Sequence, residues 1–211
     1  MKANISFSYR CVSLFFKILF KFVYRGKIYG EENIPTEGAF ILASNHVSHM
    51  DPPLIAIHCR RQPVFSFARS TLFKRGIGWF YRRLNMIPVD REKGNDVGSI
   101  RRVLQILKRG YPVLMFPEGT RSITGIPQRA KKGVGLFVVR SGVPVVPVRI
   151  FGTFEALPKG KHFLNFKPRL SIIYGKPLYP QDFEACRQEE DCLQAISDRI
   201  MQSICQIQPR G

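Results

Sequence analysis

At 211 residues and 45% apolar composition, the chain can bury a sizeable core, which excludes a mostly disordered protein and leaves one domain as the simplest organisation. A formal charge of +18 implies an anionic partner, a class that includes nucleic acid, anionic lipid headgroups, an acidic carrier protein and a phosphorylated cofactor. The charge is uneven: residues 1–30 carry Lys2, Arg10, Lys17, Lys21, Arg25 and Lys27 with no acid, whereas the chain from Gln181 onward is net acidic.

The first predicted element runs from Arg10 to Arg25. Leu14, Phe15, Phe16, Ile18, Leu19, Phe20, Phe22 and Val23 crowd into it, but Lys17 and Lys21 interrupt the apolar run. It therefore fits neither a membrane span, which needs about 20 predominantly apolar residues, nor a cleavable secretory signal. At helical spacing Arg10, Ser13, Lys17, Lys21 and Arg25 form one narrow polar stripe opposite a broad apolar face. That pattern predicts an amphipathic helix lying in a membrane interface; the alternative is a helix docked on the protein's own core with its lysines in water. Residues 1–29 are read as this N-terminal membrane-associating segment and residues 30–211 as the main domain.

Beyond Gly30, short apolar runs alternate with helical patterns. Ala39–Ala43, Val64–Ala68, Met86–Val89, Val113–Phe116, Val143–Ile150 and Leu170–Tyr174 read as strands, several of them apolar on both faces. Asp96–Arg109, stopped by Gly110, reads as a helix, as do Ala130–Arg140 and Glu184–Gln206. The alternation predicts a single α/β domain with a mixed or largely parallel sheet covered by helices. No internal repeat or long linker divides it.

Two segments following predicted strands carry chemistry. Asn45-His46-Val47-Ser48-His49-Met50-Asp51 offers an imidazole, the side chain whose unperturbed pKa of roughly 6.5 suits it to accept a proton near neutral pH, with a carboxylate to fix the ring. Pro52 and Pro53 then suit the first turn of a new helix. Phe116-Pro117-Glu118-Gly119-Thr120-Arg121-Ser122 offers an anion cradle: Gly119 allows close backbone approach, Thr120 adds a hydroxyl donor and Arg121 a bidentate fork matched to phosphate. Both lie where α/β sheets place ligands, past the carboxyl ends of strands.

Other readings stay open at this level. His46, His49 and Asp51 have a spacing that could begin a metal site, but only His58 and His162 remain as histidines and neither joins a second cluster, so no metal is expected. The odd set Cys11, Cys59, Cys186, Cys192 and Cys205 has no Cys-x-x-Cys pair, which predicts reduced thiols with packing roles. Arg69, Lys74, Arg75, Arg82 and Arg83 are mixed with Phe73, Ile77, Trp79, Phe80 and Tyr81, a composition suited to lipid headgroups. A basic membrane- or nucleic-acid-binding module would explain the charge but not the ordered segments, and no nucleic-acid motif accompanies the basic residues.

With two further blocks, NMIPVDR at 85–91 and VPVVPVRI at 143–150, the two segments resemble in order the glycerolipid acyltransferase family, in particular bacterial 1-acyl-sn-glycerol-3-phosphate acyltransferases. The resemblance covers about Gly30 to Pro177. It implies that His46 and Asp51 are the catalytic pair and that Arg91, Glu118, Gly119 and Arg121 bind the acceptor, with Pro147 and its neighbours near substrate. It also implies transfer of an acyl group from acyl coenzyme A or acyl carrier protein to the sn-2 hydroxyl of 1-acyl-glycerol-3-phosphate, giving phosphatidic acid, or alternatively to another lysophospholipid or a lyso-aminolipid, at the cytoplasmic face of a membrane, with no other cofactor and no nucleic-acid partner. Lys131 and Lys132 are candidates for the phosphates of coenzyme A or the acidic surface of acyl carrier protein. Asn85 stands where many members have glycine.

Overall fold

Successive apolar residues of the central strands point to alternate sides, which divides the core between two faces of one sheet. The computed structural model describes residues 7–73, 78–89, 97–161 and 163–209. In chain order they form α1 (Phe7–Ile18), a π-helical turn (Leu19–Val23), β1 (Lys27–Tyr29), a 3-10 turn (Glu31–Asn33), β2 (Ile41–Ser44), α2 (Asp51–His58), β3 (Phe65–Arg69), α3 (Ser70–Phe73), α4 (Gly78–Arg83) and β4 (Met86–Val89). They continue with α5 (Val97–Lys108), β5 (Val113–Met115), α6 (Gly133–Ser141), β6 (Val145–Phe151), α7 (Thr153–Ala156), β7 (Ser171–Tyr174), a 3-10 turn (Pro180–Phe183), α8 (Glu184–Arg187) and α9 (Cys192–Gln206). Lys2, Lys74, Arg75, Ile77, Arg91, Asp96 and His162, singled out above, lie outside the described residues.

The strands make one seven-stranded sheet in the order β1-β7-β6-β2-β5-β3-β4. Every pairing is parallel except β6 with β7, so β1 and β7 run against the other five. Leu42, Leu114, Val146 and Val148 point to one face, where they meet Leu54 and Ile55 of α2 and Phe20 and Tyr24 of the N-terminal segment. Their neighbours Ile41, Ala43, Val113, Met115 and Val145 point to the other, against Val103 of α5, Val134 of α6 and Ile200 of α9. Period-two side-chain direction explains this sorting.

The sorting also locates a crevice. From β2 the chain leaves through α2 on the first face, and from the adjacent β5 it leaves through α6 on the second. Neighbouring parallel strands whose connections depart on opposite faces open a gap beyond their carboxyl ends.

Three local features differ from the sequence reading. Residues 27–29, placed above in the N-terminal segment, form edge strand β1 paired with β7; three half-exposed residues give too short a pattern to register. The stretch Glu184–Gln206 is two helices, because Asp191 N-caps α9, its Oδ1 accepting from Gln194 N at 3.4 Å. The predicted N-terminal helix loosens after Ile18 into the π-helical turn.

That segment uses its apolar face twice. Tyr9, Phe20 and Tyr24 are buried, with the Phe20 ring 4.4 Å from that of His58. Gly26 makes this docking possible, since a Cβ there would lie 2.4 Å from the Phe20 ring. Phe7, Leu14, Phe15, Ile18 and Phe22 remain exposed, at 47–82%. Among the described residues no helix is long and apolar enough to cross a membrane.

Candidate active site

Asn45 begins the turn out of β2, and its side chain continues the ladder that the backbone leaves. Its Oδ1 accepts from Ile150 N at 2.9 Å and its Nδ2 donates to Ile150 O at 3.1 Å, fastening the first block to β6. Asn45, given no role above, stands at the head of the first block, directly before His46.

His46 and Asp51 then come together. Asp51 opens α2, with Pro52 and Pro53 in the first turn as expected, and its side chain is fully buried. Its Oδ2 accepts from Val47 N at 2.7 Å and Ser48 N at 2.7 Å, and lies 3.0 Å from His46 Nδ1. An oxygen already taking two main-chain N–H groups is an acceptor, so Nδ1 is the donating nitrogen and Nε2 is left with the lone pair. The imidazole is 12% exposed and stacks on Phe116 at a centroid distance of 4.0 Å. It is therefore held by a carboxylate on one edge and an aromatic ring on one face, yet is not sealed from solvent.

The second block brackets the same histidine from β5. Glu118 Oε1 accepts from His46 N at 2.8 Å, Oε2 accepts from Gln128 N at 3.0 Å, and Ser122 N donates to His46 O at 2.8 Å. Glu118 is buried, and both oxygens of its carboxylate bind backbone, so in this structure it ties two loops together. Burial raises the Glu118 pKa, opposed by the two N–H donors and reinforced by nearby Asp51.

Gly119 has φ +69 in the tight turn closed by its N–H to Phe116 O at 2.9 Å. A Cβ there would lie 3.0 Å from Lys131 Cδ and 3.5 Å from its Nζ, so the lysine stem lies against the glycine. Thr120 and Arg121 follow, both partly exposed, and Lys159 Nζ donates to Arg121 O at 3.4 Å. Of the two lysines considered for the donor, Lys131 borders the site, whereas Lys132 pairs with Asp191 at 2.5 Å. The structure thus adds Asn45 and Phe116 to the site and, of the two lysines, places Lys131 beside it.

His49 is exposed, but its ring is desolvated enough to lower its pKa, and the charges of Arg121 and His46 act in the same direction against Asp51. His46, His49 and Arg121 therefore share one electrostatic neighbourhood. Among the described residues, no group of three or more His, Cys, Asp or Glu side chains could hold a metal ion. The five cysteines are unpaired.

A histidine oriented by a buried carboxylate, opening onto a cationic loop at a sheet switch point, defines an α/β enzyme equipped to activate a hydroxyl group near an anion. The Acyltransferase family model matches residues 25–151, and the chain belongs to that family. It is 28% identical to the 1-acyl-sn-glycerol-3-phosphate acyltransferase of Bacillus subtilis, over 86% of this chain and 87% of that protein. It is 30% identical to a chloroplastic 1-acyl-sn-glycerol-3-phosphate acyltransferase of Brassica napus over 74% of this chain, spanning 46% of that longer protein. The crystal structure of the 1-acyl-sn-glycerophosphate (LPA) acyltransferase PlsC from Thermotoga maritima superposes with a TM-score of 0.70 at 30% identity, covering 92% of this chain and 76% of that one.

Proposed function

We propose that this acyltransferase moves a fatty acyl group from an acyl thioester to the sn-2 hydroxyl of 1-acyl-glycerol-3-phosphate, giving phosphatidic acid for phospholipid biosynthesis. The observation that carries the reading is the His46–Asp51 pair opening beside the loop that holds Arg121. The relatives' shared description as 1-acyl-sn-glycerol-3-phosphate acyltransferases supports the acceptor.

In this mechanism Asp51 Oδ2 holds His46 Nδ1–H, and Nε2 takes the proton of the acceptor hydroxyl. The acceptor oxygen attacks the thioester carbonyl carbon, forming a tetrahedral intermediate. The C–S bond then breaks as the ester forms, and the sulfur leaves with the proton held on Nε2. No acyl-enzyme is needed, because the activated acceptor is itself the nucleophile. Arg121, with Arg91 and Lys131, neutralises the glycerol phosphate. Gly119 and Thr120 let the phosphate approach the turn, while Glu118 keeps the turn against His46. The donor is acyl coenzyme A or acyl carrier protein, and both present anions to a basic protein.

The reaction takes place at the cytoplasmic face of a membrane. Phe15, Ile18 and Phe22 are exposed beside Lys17 and Lys21, and the Tyr24 ring, 5.9 Å from Phe166, links this surface to exposed Phe163 and Leu164. Aromatic and aliphatic side chains flanked by lysines suit the interfacial layer. The unpaired cysteines suit a reducing compartment.

An acceptor panel tests the reading. Purified protein given an acyl thioester should acylate lysophosphatidic acid at least tenfold better, in kcat/KM, than lysophosphatidylcholine or lysophosphatidylethanolamine, and Arg121→Ala should raise the acceptor KM more than the donor KM. Equal use of the three acceptors, or a KM effect on the donor alone, would contradict the assignment.

A further inference from the structure

The opposite end of the sheet holds a second concavity that acyl transfer does not use. A cavity of about 320 Å³, within the range of small-molecule sites, lies between α4, β4 and α5. Phe65, Met86, Ile106 and Tyr111 supply apolar walls. Phe65 and Met86 are the first residues of β3 and β4, and Tyr111 precedes β5. These parallel strands carry the cavity at their amino ends, whereas His46 and Glu118 stand beyond the carboxyl ends of β2 and β5. The cavity is therefore separate from the catalytic crevice.

Its polar groups are one-sided. Exposed Arg82, Arg102 and Arg109 line it, and no Asp or Glu does so among the described residues. Arg102 is engaged with its own helix through Gly98 O and Ser99 Oγ, which leaves the argument to Arg82, whose guanidinium stands over the Phe73 ring at 5.8 Å with its N–H groups still able to donate, and Arg109. Asn85 also lines the cavity at only 6% exposure. Its backbone is satisfied, N donating to Arg82 O at 3.1 Å and O accepting from Ser66 N at 3.2 Å. Its side-chain Nδ2 is buried with no hydrogen-bond partner among the described residues. Buried amide donors are nearly always paired, so this one marks a place where an acceptor fits. The backbone at Asn85 is left-handed, φ +57, a conformation glycine adopts readily and asparagine tolerates. Asparagine here adds a carboxamide that the backbone conformation does not require.

We propose that this cavity is a second, non-catalytic binding site for a single-chain anionic amphiphile. The chain occupies the apolar interior, an oxygen of the headgroup accepts from Asn85 Nδ2, and the negative charge lies between Arg82 and Arg109. A fatty carboxylate and a lysophospholipid phosphate share this chemistry.

Photolabelling of the full-length protein with a palmitate bearing a terminal diazirine, followed by peptide mapping, tests the site. Label is expected in residues 84–88 or 103–111, and it should persist in His46→Ala, which separates this site from the proposed reaction. Asn85→Gly, compatible with the left-handed backbone, and Arg109→Gln, at an exposed position, should each cut that label at least threefold with an unchanged Tm. Hexadecanol should compete at least tenfold less well than the better of palmitate and 1-palmitoyl lysophosphatidic acid, and whichever of the two competes better identifies the headgroup. Label confined to residues 45–51 and 116–122, equal competition by hexadecanol, or undiminished label in both variants would overturn the proposal.

Discussion

Three donors converge on one oxygen of Asp51, and a single carboxylate, Glu118, carries the backbone of the histidine they serve. His46 is thus positioned by both blocks, since the loop bearing Arg121 also fixes it through its N–H and C=O. Glu118→Gln tests this tie. Glutamine offers one oxygen where glutamate offers two, so either the His46 or the Gln128 N–H faces an amide NH2. A buried donor left unpaired costs about 1–3 kcal/mol, and each kcal/mol lowers Tm by about 2–4 °C in a chain of this size. Thermal melts should show that loss, and kcat should fall with it; an unchanged Tm and kcat would mean the tie is dispensable. The raised pKa gives the wild type a further signature. Folding favours the protonated Glu118 carboxyl, so its contribution is complete below the unfolded pKa and is lost as pH rises through the higher folded value. The glutamine variant lacks that slope.

At the scale of elements, the N-terminal segment combines docking with exposure. Phe20→Ala should destabilise by about 3–5 kcal/mol, the usual cost of removing a buried phenylalanine. Phe15→Ser and Phe22→Ser, at positions 61% and 70% exposed, should leave Tm unchanged and weaken sedimentation with anionic vesicles. Vesicle binding that survives both serine variants would assign the exposed face no part in membrane contact. This division was not legible in the sequence: the stripe of Arg10, Lys17 and Lys21 separates polar from apolar, but nothing in the periodicity says which phenylalanines meet protein. Gly26, by its contact with Phe20, decides part of that. Strands β2, β5 and β6 were legible because they are buried on both faces and read as apolar runs. Strand β1 was not, because its partner β7 lies more than 140 residues away and its own residues are half-exposed. The His46–Asp51 pair was legible because one turn joins it. Lys131 and Phe116 reach the site through tertiary packing, while Glu118 was visible as a residue but its backbone partners were not.

At the scale of the whole molecule, the sheet order explains why blocks some seventy residues apart form one site. Strand β5 inserts beside β2, their connections leave on opposite faces, and the two turns meet across the resulting gap. The apolar surface of α1 and residues 163–166 is exposed, and the proposed membrane contact rests on it, the charge of +18 favouring an anionic membrane. The central claim is that His46, oriented by Asp51, removes the proton from a lipid hydroxyl. Its most direct test is the single-turnover rate of acyl transfer from a thioester to lysophosphatidic acid in His46→Ala, with the folded state verified by Tm. Loss of a general base predicts a fall of about 10²–10⁴-fold. A rate within a few fold of wild type would contradict the account.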